Sequence, residues 1–285
     1  MLKQIGDLDV HYEIHGEGYP LVLLHGGGSR SQTFEEMVPL LSKSFRIYTY
    51  DLRGFGETKR PREPRLSYEL WRQDLLRFLE AFGLDEVALA GWSLGGGVAL
   101  DFAVNHPDRV THLLIMGAAS PRLERSDRSG FERRRQLIES GAKPEQIVAE
   151  TFEFTRKAFS PDSIERRPHA VEAIRQEHLR NDPQSYLEML EANERRPNIG
   201  GRLGEIRCPT LVIVGEHDGR TPVAMSEDLN KAIPTSFLKI IPDCGHFYSY
   251  EQPGIVRDAI VTFLEAFGVG TVREGAVGRS RERPA

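Results

Sequence analysis

Hydrophobic and polar positions change period repeatedly along the chain. Two short segments, Leu2–Ile5 and Val10–His15, flank a Gly6-Asp7 turn signal and predict an antiparallel hairpin at a sheet edge. Compact apolar runs follow at Leu21–Leu24, Phe45–Tyr50, Val87–Ala90, His112–Met116, Thr210–Val214 and Phe237–Ile241, the pattern of strands buried on both faces. Between the runs the period becomes helical. Ser67–Phe82 opens on a candidate N-cap and sets Leu70, Trp71, Leu75, Phe78, Leu79 and Phe82 on one stripe. Leu94–Asn105 is stopped by His106-Pro107, and Pro222–Ile233 and Pro253–Phe267 each begin with proline at a first helical position. This alternation predicts a mostly parallel sheet with helices on both faces.

The alternation breaks between Pro121 and Gly200. Helical patterns at Phe131–Glu139, Pro144–Phe159, Ile164–Arg180 and Gln184–Asn193 occur there, interrupted by prolines, with no convincing strand. The segment holds 15 basic and 15 acidic residues, so it is charge-rich yet neutral, which fits helices with ion-paired outer faces. It interrupts the sheet on the side where ligand-binding loops emerge, which makes it a candidate lid. The expected organisation is a core of residues 1–120 and 201–268 carrying a helical cap at 121–200. Residues 269–285 lack apolar periodicity and are expected to form a disordered tail.

Composition narrows the classes. A net charge of −5 over 285 residues implies no strong field, so neither nucleic acid nor an anionic membrane is expected as a partner. The N-terminal segment carries Asp7, Asp9 and Glu13 where a signal peptide needs an unbroken apolar stretch, and no apolar run is long enough to span a bilayer. Cys208 and Cys244 form no CxxC pair, and the expected location is cytoplasmic. No histidine, cysteine and carboxylate cluster is visible, so no metal is expected.

The strongest chemical signal is VALAGWSLGGGVALDFA. A buried strand ends at Ala90, and Gly91-Trp92-Ser93-Leu94-Gly95 turns directly into a helix, the setting in which Gly-x-Ser-x-Gly presents a nucleophile. Ser93 then sits at a helix N-terminus, where backbone N–H groups favour a developing anion. Upstream, Leu21–Leu24 runs into His25-Gly26-Gly27-Gly28, whose bare backbone lets a substrate approach. The N–H groups of Gly27 and Leu94 are the expected oxyanion donors. The glycines also suit a tight corner, but no Gly-Lys-Ser/Thr follows to make a phosphate loop.

Two further strand ends carry the remaining candidates. Leu211–Val214 leads into Gly215-Glu216-His217-Asp218, and Phe237–Ile241 leads into Pro242-Asp243-Cys244-Gly245-His246. Serine, acid and histidine in that order form a known triad sequence. Glu216 competes with Asp218 as the acid, while Asp243 is expected to point away from the imidazole. The loop Gly117–Pro121 offers no carboxylate. His169, His178 and Cys244 read as ordinary packing or surface residues, and Phe152, Phe154 and Phe159 suit a core as well as a pocket.

From Gln4 to Phe267, through LLHGGG, YDLRGFGET, GWSLGG, VIVGEHDGRTP and PDCGHFYSYEQP, the chain resembles the α/β-hydrolase superfamily. The resemblance implies an eight-stranded sheet with an inserted helical cap, and it assigns nucleophile, acid and base to Ser93, Asp218 and His246. It implies that Asp51 and Arg53 brace the loop facing the oxyanion hole. It also implies a small-molecule substrate and no cofactor. Relatives with an aspartate nucleophile, the haloalkane dehalogenases and epoxide hydrolases, do not match Ser93. Carboxylesterases, enol-lactonases, carbon–carbon hydrolases of ring-fission products, cofactor-free haloperoxidases and slow-turnover receptors remain. Carbon–carbon hydrolases of this type usually place Asn before the nucleophile and Trp after the base, where this chain has Trp92 and Phe247. Hydrolysis of an ester or lactone is therefore expected, with Trp92, Gly26 and Phe247 as candidate pocket residues.

Overall fold

The computed structural model describes residues 1–121 and 129–270. Its eight strands are β1 (Leu2–Ile5), β2 (Leu8–His15), β3 (Pro20–Leu24), β4 (Arg46–Tyr50), β5 (Val87–Trp92), β6 (Val110–Met116), β7 (Thr210–Gly215) and β8 (Ser236–Ile241). They form one sheet in the order β1-β2-β4-β3-β5-β6-β7-β8. The β1–β2 hairpin pairs antiparallel onto β4 through Tyr12↔Tyr50, and every pairing from β4 to β8 is parallel. The strand pattern predicts this mostly parallel sheet, and the eight strands are those of the α/β-hydrolase fold that the resemblance implies.

Helices α1 (Val38–Leu41), α2 (Tyr68–Ala81) and α3 (Leu94–Asn105) belong to the first half. Between β6 and β7 come α4 (Ser129–Glu139), α5 (Pro144–Arg156), α6 (Pro161–Arg166), α7 (Pro168–Arg180) and α8 (Pro183–Glu194). The chain closes with α9 (Val223–Ala232), α10 (Tyr248–Glu251) and α11 (Pro253–Ala266). One helix expected across Ile164–Arg180 is two, because Pro168 cannot continue α6 and Arg167 leaves helical geometry at φ −130°, ψ 55°. Most of the tail expected at 269–285 lies outside the described residues.

Alternation along each strand divides the core. Val22 and Leu24 of β3 pack on one side of the sheet with Trp71, Leu75 and Phe78 of α2 and Val98 of α3. Leu21 and Leu23 face the other side, with Phe34, Leu41, Val256 and Ile260. All four β3 leucine and valine side chains are fully buried, and burial of each contributes roughly 1.5–3 kcal/mol. The α2 stripe differs from its apolar pattern in that Tyr68 and Asp74 are buried while Leu70 is half-exposed. Asp74 is drawn inward by Arg53, whose Nε and Nη2 donate to its carboxylate at 2.7 and 2.8 Å.

Candidate active site

The turn between β5 and α3 sets Ser93 at φ 53°, ψ −111°, a left-handed conformation that costs a non-glycine residue about 1–3 kcal/mol. Packing holds it there. A Cβ at Gly95 would fall 2.3 Å from the carbonyl oxygen of Leu24, so the elbow presses directly on the end of β3. Main-chain bonds from Ser93 N–H to Met116 O (2.9 Å) and from Gly95 N–H to His25 O (3.1 Å) fix the turn on both sides. Ser93 is half-buried and opens onto a cavity.

The loops after β7 and β8 are joined by Glu216 N–H to Ile241 O (2.9 Å) and His217 N–H to Cys244 O (2.8 Å). They bring Asp218 and His246 together, with Nδ1 of the imidazole 2.8 Å from Asp218 Oδ2. The same carboxylate oxygen accepts the Tyr248 hydroxyl at 2.6 Å and lies 2.8 Å from the Thr221 hydroxyl. Its other oxygen accepts the N–H groups of Arg220 and Thr221 at 2.9 and 2.8 Å. Burial opposes the Asp218 charge, but His246 and these donors outweigh it and hold the carboxyl below its usual range. Nδ1 is therefore the protonated nitrogen, assigned from its acceptor. His246 Nε2 is buried without a hydrogen-bond partner, so no bond to Ser93 Oγ is formed in this state. Long or unformed catalytic hydrogen bonds are common before substrate arrives.

Glu216 and Asp243 are exposed, and neither touches the imidazole. With His217 they bring three potential ligand atoms within 4.8 Å of one another, a grouping that sequence reading missed. All three residues are exposed, and none lines the cavity that holds Ser93.

Gly27 and Leu94 line the same cavity as the serine, and among the described residues neither main-chain N–H is taken by a backbone acceptor. The Gly26–Gly28 loop is fixed through His25. Leu52 N–H donates to its Nε2 (2.8 Å), so Nδ1 carries the proton and donates to Gly26 O (2.8 Å). Burial pushes the His25 pKa down, which favours this neutral form. Asp51 accepts Ser31 N–H and Glu57 N–H at 2.7 and 2.8 Å, and Arg53 pairs with both Asp7 and Asp74. Both residues thus brace loops and lie outside the cavity lining.

The cavity's lining includes Gly27, Ser93 and Leu94 from the β3 and β5 ends, Tyr186, Met189 and Asn193 of α8, and Arg196, Arg220 and Thr221. Trp92, Gly26 and Phe247, expected as pocket residues, are not in this lining. Trp92 is 6% exposed and Phe247 2%, and they pack on each other and on His246. Phe159 stacks on Phe247 at 4.2 Å and belongs to the same support. His178 is buried against Arg134 and His169 faces Glu36 on the surface.

Sequence reading missed Tyr248, Thr221 and Glu251, although all lie inside the quoted motifs. The Glu251 carboxylate accepts three N–H groups, from Gly245 (2.9 Å), Phe247 (2.9 Å) and Ser160 (2.7 Å). The His246 N–H donates to Ala158 O at 2.7 Å. The inserted segment is thereby bonded to the histidine loop itself.

The chain belongs to the family described as alpha/beta hydrolase fold, whose model matches residues 19–253, and it is a hydrolase. It is 30% identical over 264 residues to the 2-hydroxy-6-oxo-2,4-heptadienoate hydrolase of Pseudomonas putida F1, covering 88% of this chain and 91% of that one. Among solved structures it resembles a thermophilic esterase from Thermogutta terrifontis at a TM-score of 0.82 and 29% identity, covering 91% of this chain and 94% of the other. The enol-lactonase of Burkholderia xenovorans LB400 shares the fold at a TM-score of 0.83 and 23% identity, covering 93% of this chain and 100% of that one. Among the described residues no helix is long and apolar enough to cross a membrane.

Proposed function

We propose that the protein hydrolyses a small-molecule carboxylic ester or lactone through an acyl-enzyme on Ser93, with residues 121–200 as a lid. The observation that carries this reading is the His246–Asp218 pair. Asp218 fixes the proton on Nδ1 and leaves Nε2 as a buried lone pair with nothing to accept. In the mechanism, Nε2 takes the Ser93 proton as Oγ attacks the carbonyl carbon. The oxyanion is held by the N–H groups of Gly27 and Leu94, and the imidazolium by Asp218. The proton then passes to the leaving alkoxide. Water, deprotonated by the same nitrogen, releases the acid and restores the serine.

Lining residues from both the sheet loops and the insertion support the lid. The test is turnover of a short p-nitrophenyl ester by the wild type and by Ser93→Ala. The variant is expected to lose about 10⁴-fold or more in kcat while folding normally, as members of a triad act as a unit. Near-wild-type activity would remove Ser93 from the mechanism.

A second reading, carbon–carbon bond hydrolysis, is favoured by the named activity of the Pseudomonas putida relative. Such a reaction requires a dienolate to be protonated and its carbanion stabilised by polar groups near the elbow. Position 92 supplies none, because the Trp92 N–H is bonded to the His246 carbonyl at 2.8 Å. Comparing kcat/KM for an aryl ester, an enol-lactone and a 2-hydroxy-6-oxo-dienoate separates the readings. A dienoate preferred by about a hundredfold, roughly 2.7 kcal/mol, would reverse the choice.

A further inference from the structure

Among the described residues, the cavity over Ser93 is lined by two arginines and by no acidic side chain. The three acids of α8 are held by cations that do not line this cavity. Glu188 pairs with Arg60 at 3.0 Å, Glu191 with Arg65 at 2.8 Å, and Glu194 with Arg135 at 2.7 Å. In the adjoining cavity, which shares Tyr68, Gly97, Ala119 and Arg196, the one acid among the described residues is Asp101, paired with Arg72 at 2.9 Å. Arg196 takes part in no ion pair among the described residues. Its guanidinium donates only to main-chain carbonyls, Nη1 to Ala119 O at 3.3 Å and Nη2 to Ser120 O at 2.9 Å. Those two bonds orient the group and leave its full charge and its remaining N–H donors unmatched.

Neighbouring groups are donors as well. Asn193 Oδ1 accepts the Tyr68 hydroxyl at 3.0 Å, which leaves its NH₂ as the end still able to donate. Arg220 is tethered to Thr155 Oγ1 at 2.9 Å, and its guanidinium lies over the Phe131, Phe154 and Phe247 rings at 5.8, 5.4 and 5.7 Å. A half-buried guanidinium lining a cavity together with a second guanidinium and the Asn193 amide suits an anion with several acceptor oxygens.

We propose that Arg196 anchors a free carboxylate of the substrate, so that the enzyme selects hemi-esters or lactones bearing one carboxylate besides the bond that is cut. Arg196 is then a specificity-determining residue, and the proposal rests on the acyl-transfer reading above. Charge pairing in a partly desolvated cavity binds the anionic substrate while Ser93 attacks its other carbonyl.

The test uses p-nitrophenyl hemi-esters of succinate, glutarate and adipate beside the p-nitrophenyl esters of butanoate, pentanoate and hexanoate, which match them in chain length. The wild type is expected to prefer the best hemi-ester over its neutral match by about tenfold or more in kcat/KM. In Arg196→Gln that ratio is expected to collapse towards one, with the loss in KM and not in kcat. Taking the ratio cancels any general damage from losing the bonds to Ala119 and Ser120. A wild type with no hemi-ester preference overturns the proposal, as does a ratio unchanged in the variant. Should Arg196→Gln not fold, wild-type inhibition by glutarate against glutaramide decides, and equal inhibition overturns the inference. Should no ester of either kind be turned over, the acyl-transfer reading fails separately. Calorimetric titration of the wild type with glutarate then decides whether the anion site exists.

Discussion

The indole N–H of Trp92 donates to the main-chain carbonyl of His246 at 2.8 Å, joining the residue before the proposed nucleophile to the residue proposed as base. Trp92→Phe would keep the ring packing and leave that buried carbonyl short of a donor, at a cost of about 1–3 kcal/mol. The expected outcome is a fall in kcat of about 3–10-fold with KM changed less than about twofold, since the bond orients the base and touches no substrate. Steady-state kinetics with a single ester, together with a melting curve, check it. A variant that loses stability but keeps kcat would make the bond structural only.

The acid is tested by three substitutions made in parallel. Asp218→Asn is expected to lower kcat by about 10³–10⁴-fold, because the imidazole loses the partner that sets its tautomer. Glu216→Gln and Asp243→Asn are expected to stay within about twofold, because both side chains are exposed and neither reaches the imidazole. A crippled Glu216→Gln would transfer the role to Glu216.

Glu177 on α7 is pushed up to about 8, first by burial; Glu35 and Asp51 add to this, while Ser29 and Arg30 oppose it. Ser29 is its hydrogen-bond partner, in the loop that follows Gly27, and Asn181 of the same segment donates to Gly28 O at 2.7 Å. The folded state keeps a proton that the unfolded chain releases at ordinary carboxylate pH. This contribution is complete below the unfolded pKa and is lost as pH rises towards and through about 8. Between those limits the slope reaches about 1.4 kcal/mol per pH unit. Melting temperature is expected to fall from pH 5.5 to pH 9 in the wild type and to fall less in Glu177→Gln. Parallel curves for the two proteins would count against the buried proton.

Gly27 has room for a hydrogen and nothing larger, because a Cβ there would come 2.3 Å from Met189 Sδ of α8. Gly27→Ala is expected to lower kcat by about tenfold or more through displacement of the oxyanion donor. The clash is with a flexible side chain, so Gly27→Ala/Met189→Ala is expected to recover part of that loss. Circular dichroism would verify that both variants fold, and a double variant no better than the single one would place the damage in the backbone.

The inner sheet was readable because its strands are buried on both faces, and an unbroken apolar run such as Leu21–Leu24 needs no partner to be recognised. The strand β8, expected to be buried likewise, is an edge strand that exposes Phe237 and Ile240. The elbow was readable because its geometry forces glycine beside Ser93. Asp218 could not be separated from Glu216 by pattern alone, since both lie in one four-residue loop and only its path decides which carboxylate turns inward. The cavity wall was the least readable part. Tyr186, Met189, Asn193 and Arg196 lie in a stretch whose charges and period resemble any solvated helix, and only the tertiary path turns one arginine of the Arg195-Arg196 pair inward. Trp92 failed as a pocket residue for a related reason. Its ring is large enough to serve as packing, and its one polar atom is already matched within the protein.

The bond from His246 N–H to Ala158 O and the sharing of Glu251 between Ser160 and Gly245 mean that the insertion is not a detachable module. A replacement segment would have to return a main-chain carbonyl to the His246 N–H and a main-chain N–H to the Glu251 carboxylate as well as rebuild the cavity wall. The path at 158–160 is therefore the part to preserve in a swap, whereas point changes along α4 and α8 leave it untouched. New specificities on this scaffold are more accessible by gradual repainting of those two helices than by exchange of the insertion as a block.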